Sequence, residues 1–297
     1  MYITDILKGR EINFSFELFP PKTAFNKSGM KIQQHLSRIF DTVDNLSQFD
    51  PAFISVTYSP MNETKTTSIP IAAIIKERFD IETVAHITCI NTEREDLRKI
   101  FDVLKFFHID NILALRGDRQ YDDTEKILNH ASDIVEEIKN HREDFSIGVA
   151  GYPEGHPECL NVEGKKNLEL DMDYFVYKTE KGADFAITQL FLDNDYYFRF
   201  VEKARKKGVE IPIIPGIMPV VNRNNLKTIK KLTGATIPPD LEKRINDNIE
   251  DDQEIFEIGI EHAVKQVKDL IDKAPCIHFY TMDRWQPTER IIKEVTG

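Results

Sequence analysis

The chain has 297 residues, 41% hydrophobic and 30% charged, and sets 39 Lys plus Arg against 50 Asp plus Glu for a net charge of −11. An acidic chain without a basic block argues against nucleic acid as a partner, although a local cationic cluster would suffice for an anionic cofactor. Three scattered cysteines (Cys89, Cys159 and Cys276), no signal-peptide shape and no apolar run near 20 residues point to a reduced, cytoplasmic, membrane-free protein.

Residues 1–11 read as a short leading helix. Eight β-type runs then follow: INFSFELF (12–19), AFISVTYS (52–59), TVAHITCI (83–90), NILALRGD (111–118), FSIGVAGY (145–152), FAITQLF (185–191), IPIIPGIM (211–218) and CIHFYTM (276–282). They are nearly continuous apolar runs, as parallel strands buried on both faces require. The stretches between them carry helical periodicity. Ile32, Leu36, Ile39, Phe40, Val43 and Leu46 share one stripe in 30–48, and Ile127, Ala131, Ile134, Val135 and Ile138 share another in 125–140. Thr92 with Glu95 has the spacing of a capping box opening the next helix. Before the last run lies a long insertion, 219–275, with helices expected near 222–233 and 252–272 and a break at TIPPD, 236–240. The stretches 119–124 and 153–166 read as loops at the strand ends.

Strands alternating with helices eight times predict an α/β fold: a (β/α)8 TIM-type barrel spanning 1–297 as a single domain, with a helical insertion before the last strand. In such a barrel the active site lies at the C-terminal ends of the strands. Those ends carry Glu17, Thr57, Tyr58, His86, Arg116, Gly117, Asp118, Tyr152, Gln189, Met218 and the stretch from Tyr280 to Arg284.

Glu17, between Phe16 and the Phe19-Pro20-Pro21 stop, would be desolvated. Desolvation favours the protonated carboxyl, which suits a general acid, although a structural ion pair is an equal reading of that segment alone. In ALRGD, Arg116 offers a fork for phosphate, Gly117 allows close approach and Asp118 adds a negative charge; a salt-bridged turn is the plainer alternative. The amide of Gln189 can bond a heterocycle in both senses, or simply fill a polar barrel layer. No G-x-G-x-x-G follows the first strand and no Walker A sequence occurs, so a Rossmann site and a P-loop are both disfavoured. His86, His156 and His278 lack metal-ligand spacing with Cys89, Cys159 or Glu158, so no metal is expected.

FSFELFPPKT, FISVTYS, AHITCI, LALRGD, VAGYPEGHPE, GADFAITQLF, IIPGIMPV and HFYTMDR, in this order from about residue 13 to 284, resemble the methylenetetrahydrofolate reductase family. The resemblance implies FAD at the barrel mouth, NADH or NADPH as reductant, and ping-pong reduction of 5,10-methylenetetrahydrofolate to 5-methyltetrahydrofolate, a reaction of one-carbon metabolism and methionine supply. It implies that Glu17 is the general acid, that Asp118 is the carboxylate beside flavin and pterin, and that Gln189 contacts folate and nicotinamide in turn. It further implies FAD contacts at Thr57, Tyr58, His86, Arg116, Gly117, Asp118, Ala131, Tyr152, His156, Asp171 and Lys178. Substrate contacts are implied at Asp118, Gln189 and Arg284, the last near the folate glutamate tail. The pattern departs at Tyr177, where a basic residue is frequent, at Pro60 and at Asn225. The large C-terminal regulatory domain of eukaryotic members is not expected, and a homo-oligomer is. The rivals are another flavin barrel, such as one oxidising proline, and a non-catalytic folate- or flavin-binding barrel.

Overall fold

The apolar runs become strands in the order in which they occur. The computed structural model describes residues 1–9, 12–21, 29–58, 67–90, 92–117, 128–141, 144–248 and 251–297. Its strands are β1 (Phe14–Leu18), β2 (Phe53–Val56), β3 (Thr83–Thr88), β4 (Asn111–Leu115), β5 (Ser146–Gly151), β6 (Phe185–Thr188), β7 (Ile213–Ile214), β8 (Gly216–Ile217) and β9 (Ile277–Tyr280). All pair in parallel, in the order β7-β6-β5-β4-β3-β2-β1-β9-β8.

The seventh expected run is divided. Pro215 has no N–H for the ladder and separates β7 from β8. β7 pairs with β6 and β8 with β9, while the Pro215 carbonyl accepts from His278 N–H at 3.0 Å. Chain continuity through Pro215 therefore closes the sheet into a barrel of eight strand positions, the (β/α)8 TIM-type fold expected.

The helices are α1 (Ile3–Ile6), α2 (Gly29–Ser47), α3 (Ser68–Phe79), α4 (Arg94–Phe106), α5 (Ala131–His141), α6 (Leu168–Glu180), α7 (Asn194–Lys206), α8 (Arg223–Thr233), α9 (Pro239–Asp247), α10 (Asp252–Leu270) and α11 (Trp285–Thr296). α8, α9 and α10 form the insertion before β9. Two local expectations are corrected. TIPPD does not simply break the chain: Pro239 opens α9, because its missing N–H costs nothing in a first helical turn. The capping box does not form either. The N-cap of α4 is Glu93, without a side-chain cap bond, and Thr92 Oγ1 donates instead to the Ile90 carbonyl at 3.5 Å.

Strand alternation separates an outer from an inner core cluster, and a third joins the insertion to the chain leaving β6 and β8. Phe14, Phe16 and Leu18 of β1 face outward with Ile39, Val43 and Leu46 of α2 in the main core beneath the helices. Phe53, Val84, Leu113, Phe185, Ile187, Ile214 and Cys276 pack together as a second cluster inside the barrel. Ile3, Ile6 and Leu7 of the α1 segment join that inner cluster, and Ile3 N–H donates to Asn111 Oδ1 at the start of β4 (3.0 Å). α1 thus covers the N-terminal end of the barrel and leaves the C-terminal end for chemistry.

Candidate active site

Ser15 and Glu17 alternate with the outward apolar residues of β1 and so face the barrel axis. Glu17 is 6% exposed, and its Oε2 lies 3.5 Å from His86 Nε2 of β3 and 3.7 Å from His278 Nε2 of β9. Burial lowers the His86 pKa to about 4, outweighing the attraction of Glu17, so this imidazole is neutral at physiological pH. Tyr280, next inward on β9, donates its hydroxyl to the Thr188 carbonyl at 2.7 Å. Burial, with Glu17 and Tyr152 adding, holds that phenol far above its ordinary range and therefore protonated.

The chain leaving β9 braces this corner. Thr281 Oγ1 donates to the Glu17 carbonyl at 2.7 Å, and Asp283 Oδ1 accepts from Phe19 N–H at 2.9 Å. Asp283 Oδ2 also meets His35 Nε2 at 2.9 Å. Met282 and Asp283 have φ of 50° and 56°, a left-handed pair of non-glycine residues that these bonds hold in place. Arg284 follows, exposed, on a separate cavity of about 480 Å³ shared with Arg38, Phe256 and Trp285.

Across the barrel, the ends of β4 and β5 open onto a cavity of about 370 Å³. Six residues expected to contact the cofactor line it: Arg116, Ala131, Tyr152, His156, Asp171 and Lys178. Arg116 is held by Glu158, with Nη2 to Oε2 at 2.6 Å. Gly117 follows with φ of 89°, a conformation glycine adopts without strain. Tyr152 and His156 meet edge to face with ring centroids 4.6 Å apart. Burial lowers the Lys178 pKa to about 8 against the attraction of Asp171, so the amine stays mostly protonated at neutral pH. Burial raises Asp171, while Lys178, the His156 backbone N–H and Lys166 pull it back down. Ala131 opens α5, where Asp133 Oδ2 accepts from the Asn129 and His130 N–H groups at 2.7 and 3.0 Å. Tyr177, the departure from the family pattern, lines the same cavity.

The remaining expected residues fall elsewhere. Thr57 and the buried Tyr58 follow β2, and the Tyr58 hydroxyl has no hydrogen-bond partner among the described residues. Gln189 follows β6, and its Oε1 turns back to accept from Leu190 N–H at 2.9 Å. Asp118, Pro60 and the loop 119–124 lie outside the described residues. Sequence reasoning missed Ser15 as the partner of His278 and Glu158 as the partner of Arg116. The two-residue spacing of Ser15 and Glu17 carried a signal for the first; no sequence signal pointed to the second.

A sequence model of the family described as methylenetetrahydrofolate reductase matches residues 2–296. The chain belongs to the methylenetetrahydrofolate reductase family. Among individual members, it is 35% identical over 280 residues to the 5,10-methylenetetrahydrofolate reductase of Pectobacterium carotovorum, covering 94% of this chain and 88% of that one. It is 35% identical over 276 residues to its Escherichia coli counterpart, covering 92% and 87%. Methylenetetrahydrofolate reductase 2 of Schizosaccharomyces pombe is 34% identical over 294 residues, covering 94% of this chain but 45% of that protein. The chain spans about half the length of this relative and of the Arabidopsis thaliana and Zea mays members, at 48% and 46%. In fold, it is similar to a Clostridium thermocellum protein described as binding two copies of 5-methyl-5,6,7,8-tetrahydrofolic acid. That likeness has a TM-score of 0.66 at 16% identity and covers 99% of this chain and 97% of the other. The 7,8-dihydropteroate synthase of Vibrio fischeri shares the fold at a TM-score of 0.51 and 12% identity, covering 96% and 92%.

Proposed function

We propose that this chain is a single catalytic barrel that reduces 5,10-methylenetetrahydrofolate to 5-methyltetrahydrofolate with FAD and a reduced nicotinamide cofactor. The observation that carries this reading is the convergence of Arg116, Ala131, Tyr152, His156, Asp171 and Lys178 on one cavity at the barrel mouth. The chemistry of these groups fits FAD. Arg116 and Lys178 supply two cationic groups for a diphosphate, and Tyr152 and His156 supply flat faces beside them. A volume of about 370 Å³ would hold part of a dinucleotide.

FAD bound there would supply hydride transfer from NADH or NADPH to the folate. The chain's own residues do the rest. Glu17, shielded from solvent, donates a proton to the folate nitrogen that must leave the methylene bridge. Asp118 would supply the counter-charge to the cation so formed. Gln189 must turn its amide from Leu190 to bond the substrate ring. Arg284, exposed on the far rim, can meet the carboxylates of the folate tail.

Flavin content tests the reading. The purified chain, reconstituted and freed of excess ligand, should retain about one FAD, released intact by denaturation. Retention of FMN alone, or of no flavin, would overturn it.

A further inference from the structure

His278 lies fully buried beneath Glu17, with both ring nitrogens directed. Nδ1 is 2.8 Å from Ser15 Oγ, and Nε2 is 3.7 Å from Glu17 Oε2. The ring stacks on Phe53 at 5.7 Å and 20°, and Tyr280 meets it edge-on at 5.4 Å and 84°. Ser15 and His278 are register partners on neighbouring strands, so the backbone ladder itself holds them together.

Ser15 selects the tautomer. Its hydroxyl has one hydrogen and two neighbouring acceptors, His278 Nδ1 at 2.8 Å and Cys276 Sγ at 3.3 Å. Nε2 faces a carboxyl oxygen of Glu17 and the Cys276 thiol donates to the Ile277 carbonyl, so the arrangement that serves every group puts the ring proton on Nε2 and the Ser15 hydrogen on Nδ1. In the neutral ring the remaining proton is then on Nε2, facing Glu17. His86 brings a second Nε2 to the same oxygen at 3.5 Å. Tyr280 is committed to the Thr188 carbonyl and does not compete. Neither Nε2 is hydrogen-bonded at these distances among the described residues, and each buried N–H would be satisfied by Oε2 if the two close up when substrate binds.

We infer that His278, fixed as its Nε2–H tautomer by Ser15, is a positioning residue that anchors Oε2 of Glu17 from beneath and presents the other carboxyl oxygen to the substrate. This rests on the proposed role of Glu17 as the folate-side acid. His278 is a holder rather than a proton source: its Nδ1 meets the hydroxyl of Ser15, which is itself fully buried.

Imidazole ¹⁵N spectra of the labelled, ligand-free wild type test the geometry without reference to turnover. His278 should carry its proton on Nε2, and Ser15→Ala should mix the tautomers. Two substitutions then test the consequence. In His278→Asn the amide stays near Ser15 and the donor toward Glu17 is withdrawn; in His278→Gln a donor reaches that place again. The Asn variant should lower kcat of folate reduction by roughly 10- to 100-fold, the scale of a misplaced catalytic group, with KM little changed. The Gln variant should recover most of the loss, and reduction of the flavin by NADH or NADPH should be spared in both. A proton on Nδ1, equal losses in Asn and Gln, or joint slowing of both half-reactions would overturn the inference. An intact folate step in Glu17→Gln would instead overturn the role of Glu17, and this inference with it. A slow Glu17→Gln together with a proton on Nδ1 would overturn the positioning role alone.

Discussion

Arg116 Nη2 meets Glu158 Oε2 at 2.6 Å, joining the end of β4 to the loop after β5 at the edge of the cavity that both line. The pair stores a guanidinium in place while occupying it. An anionic ligand must compete with Glu158 for this fork. Arg116→Ala should therefore weaken FAD binding by about 10- to 100-fold, the worth of one or two charge-assisted bonds. Glu158→Gln should tighten it, by no more than about fivefold, because half-exposed ion pairs are worth little. Titration of the flavin-free protein with FAD, followed by flavin fluorescence, measures both. A loss of affinity in Glu158→Gln would mean that the carboxylate positions Arg116 rather than competing for it.

Lys178 is charged at a cost in burial. Burial lowers its pKa from 10.5 to about 8, so the folded chain binds fewer protons there than the unfolded chain between those values. Stability from this group accordingly rises with pH from about 8 toward 10.5, and its burial is a cost below that window. Lys178→Met should raise the melting temperature of the flavin-free protein at pH 7, flatten the rise above pH 8, and weaken FAD binding. Parallel loss of stability and binding would show that the amine's bond to the Ala150 carbonyl outweighs its desolvation.

Gly259 fixes how closely α10 approaches the chain leaving β8. A Cβ at this position would lie 1.7 Å from the Val220 carbonyl oxygen, backbone that cannot step aside. Gly259→Ala should destabilise the fold by about 1–3 kcal/mol or more through overpacking. Gly9→Ala is a control, since among the described residues its Cβ would meet nothing nearer than the Ile6 carbonyl at 3.7 Å. Equal melting temperatures for the two variants would contradict the close packing of the insertion on the barrel.

The eight strand positions were legible because parallel strands buried on both faces leave continuous apolar runs. The run at 211–218 was read as one strand, and its division at Pro215 into β7 and β8 was missed because a strand shared between two neighbours depends on closure of the ring. α9 was hidden because Pro238 and Pro239 read equally as a break or as a helix start, and the packing of Leu241 and Ile245 decides between them. Thr92 and Glu95 had the right spacing for a capping box, but the chain leaving β3 starts the helix at Arg94, too late for Thr92 to be its N-cap. Strand parity puts Ser15 on the face of Glu17, and Cys276 on that of His278 and Tyr280, a signal that went unused. Parity could not supply the register that sets Ser15 opposite His278, 263 residues away. Nor could it reveal that Gln189 folds back onto Leu190 N–H, which is a local side-chain choice.

Glu17→Gln should separate the two halves of the proposed reaction. The amide keeps the size of the side chain and its place beside His86 and His278 but has no acidic proton to give. Reduction of bound flavin by NADH or NADPH should change little. The folate step should slow by roughly 100-fold or more, the scale of general acid catalysis. Equal slowing of both would point to a damaged flavin site instead.

The most direct measurement is an anaerobic absorption experiment on the FAD-loaded wild-type chain. NADH or NADPH is added first, and 5,10-methylenetetrahydrofolate second. The nicotinamide cofactor should bleach the flavin band and the folate should restore it, with one 5-methyltetrahydrofolate formed per flavin reoxidised. A flavin that bleaches but is not reoxidised by methylenetetrahydrofolate would contradict the central claim.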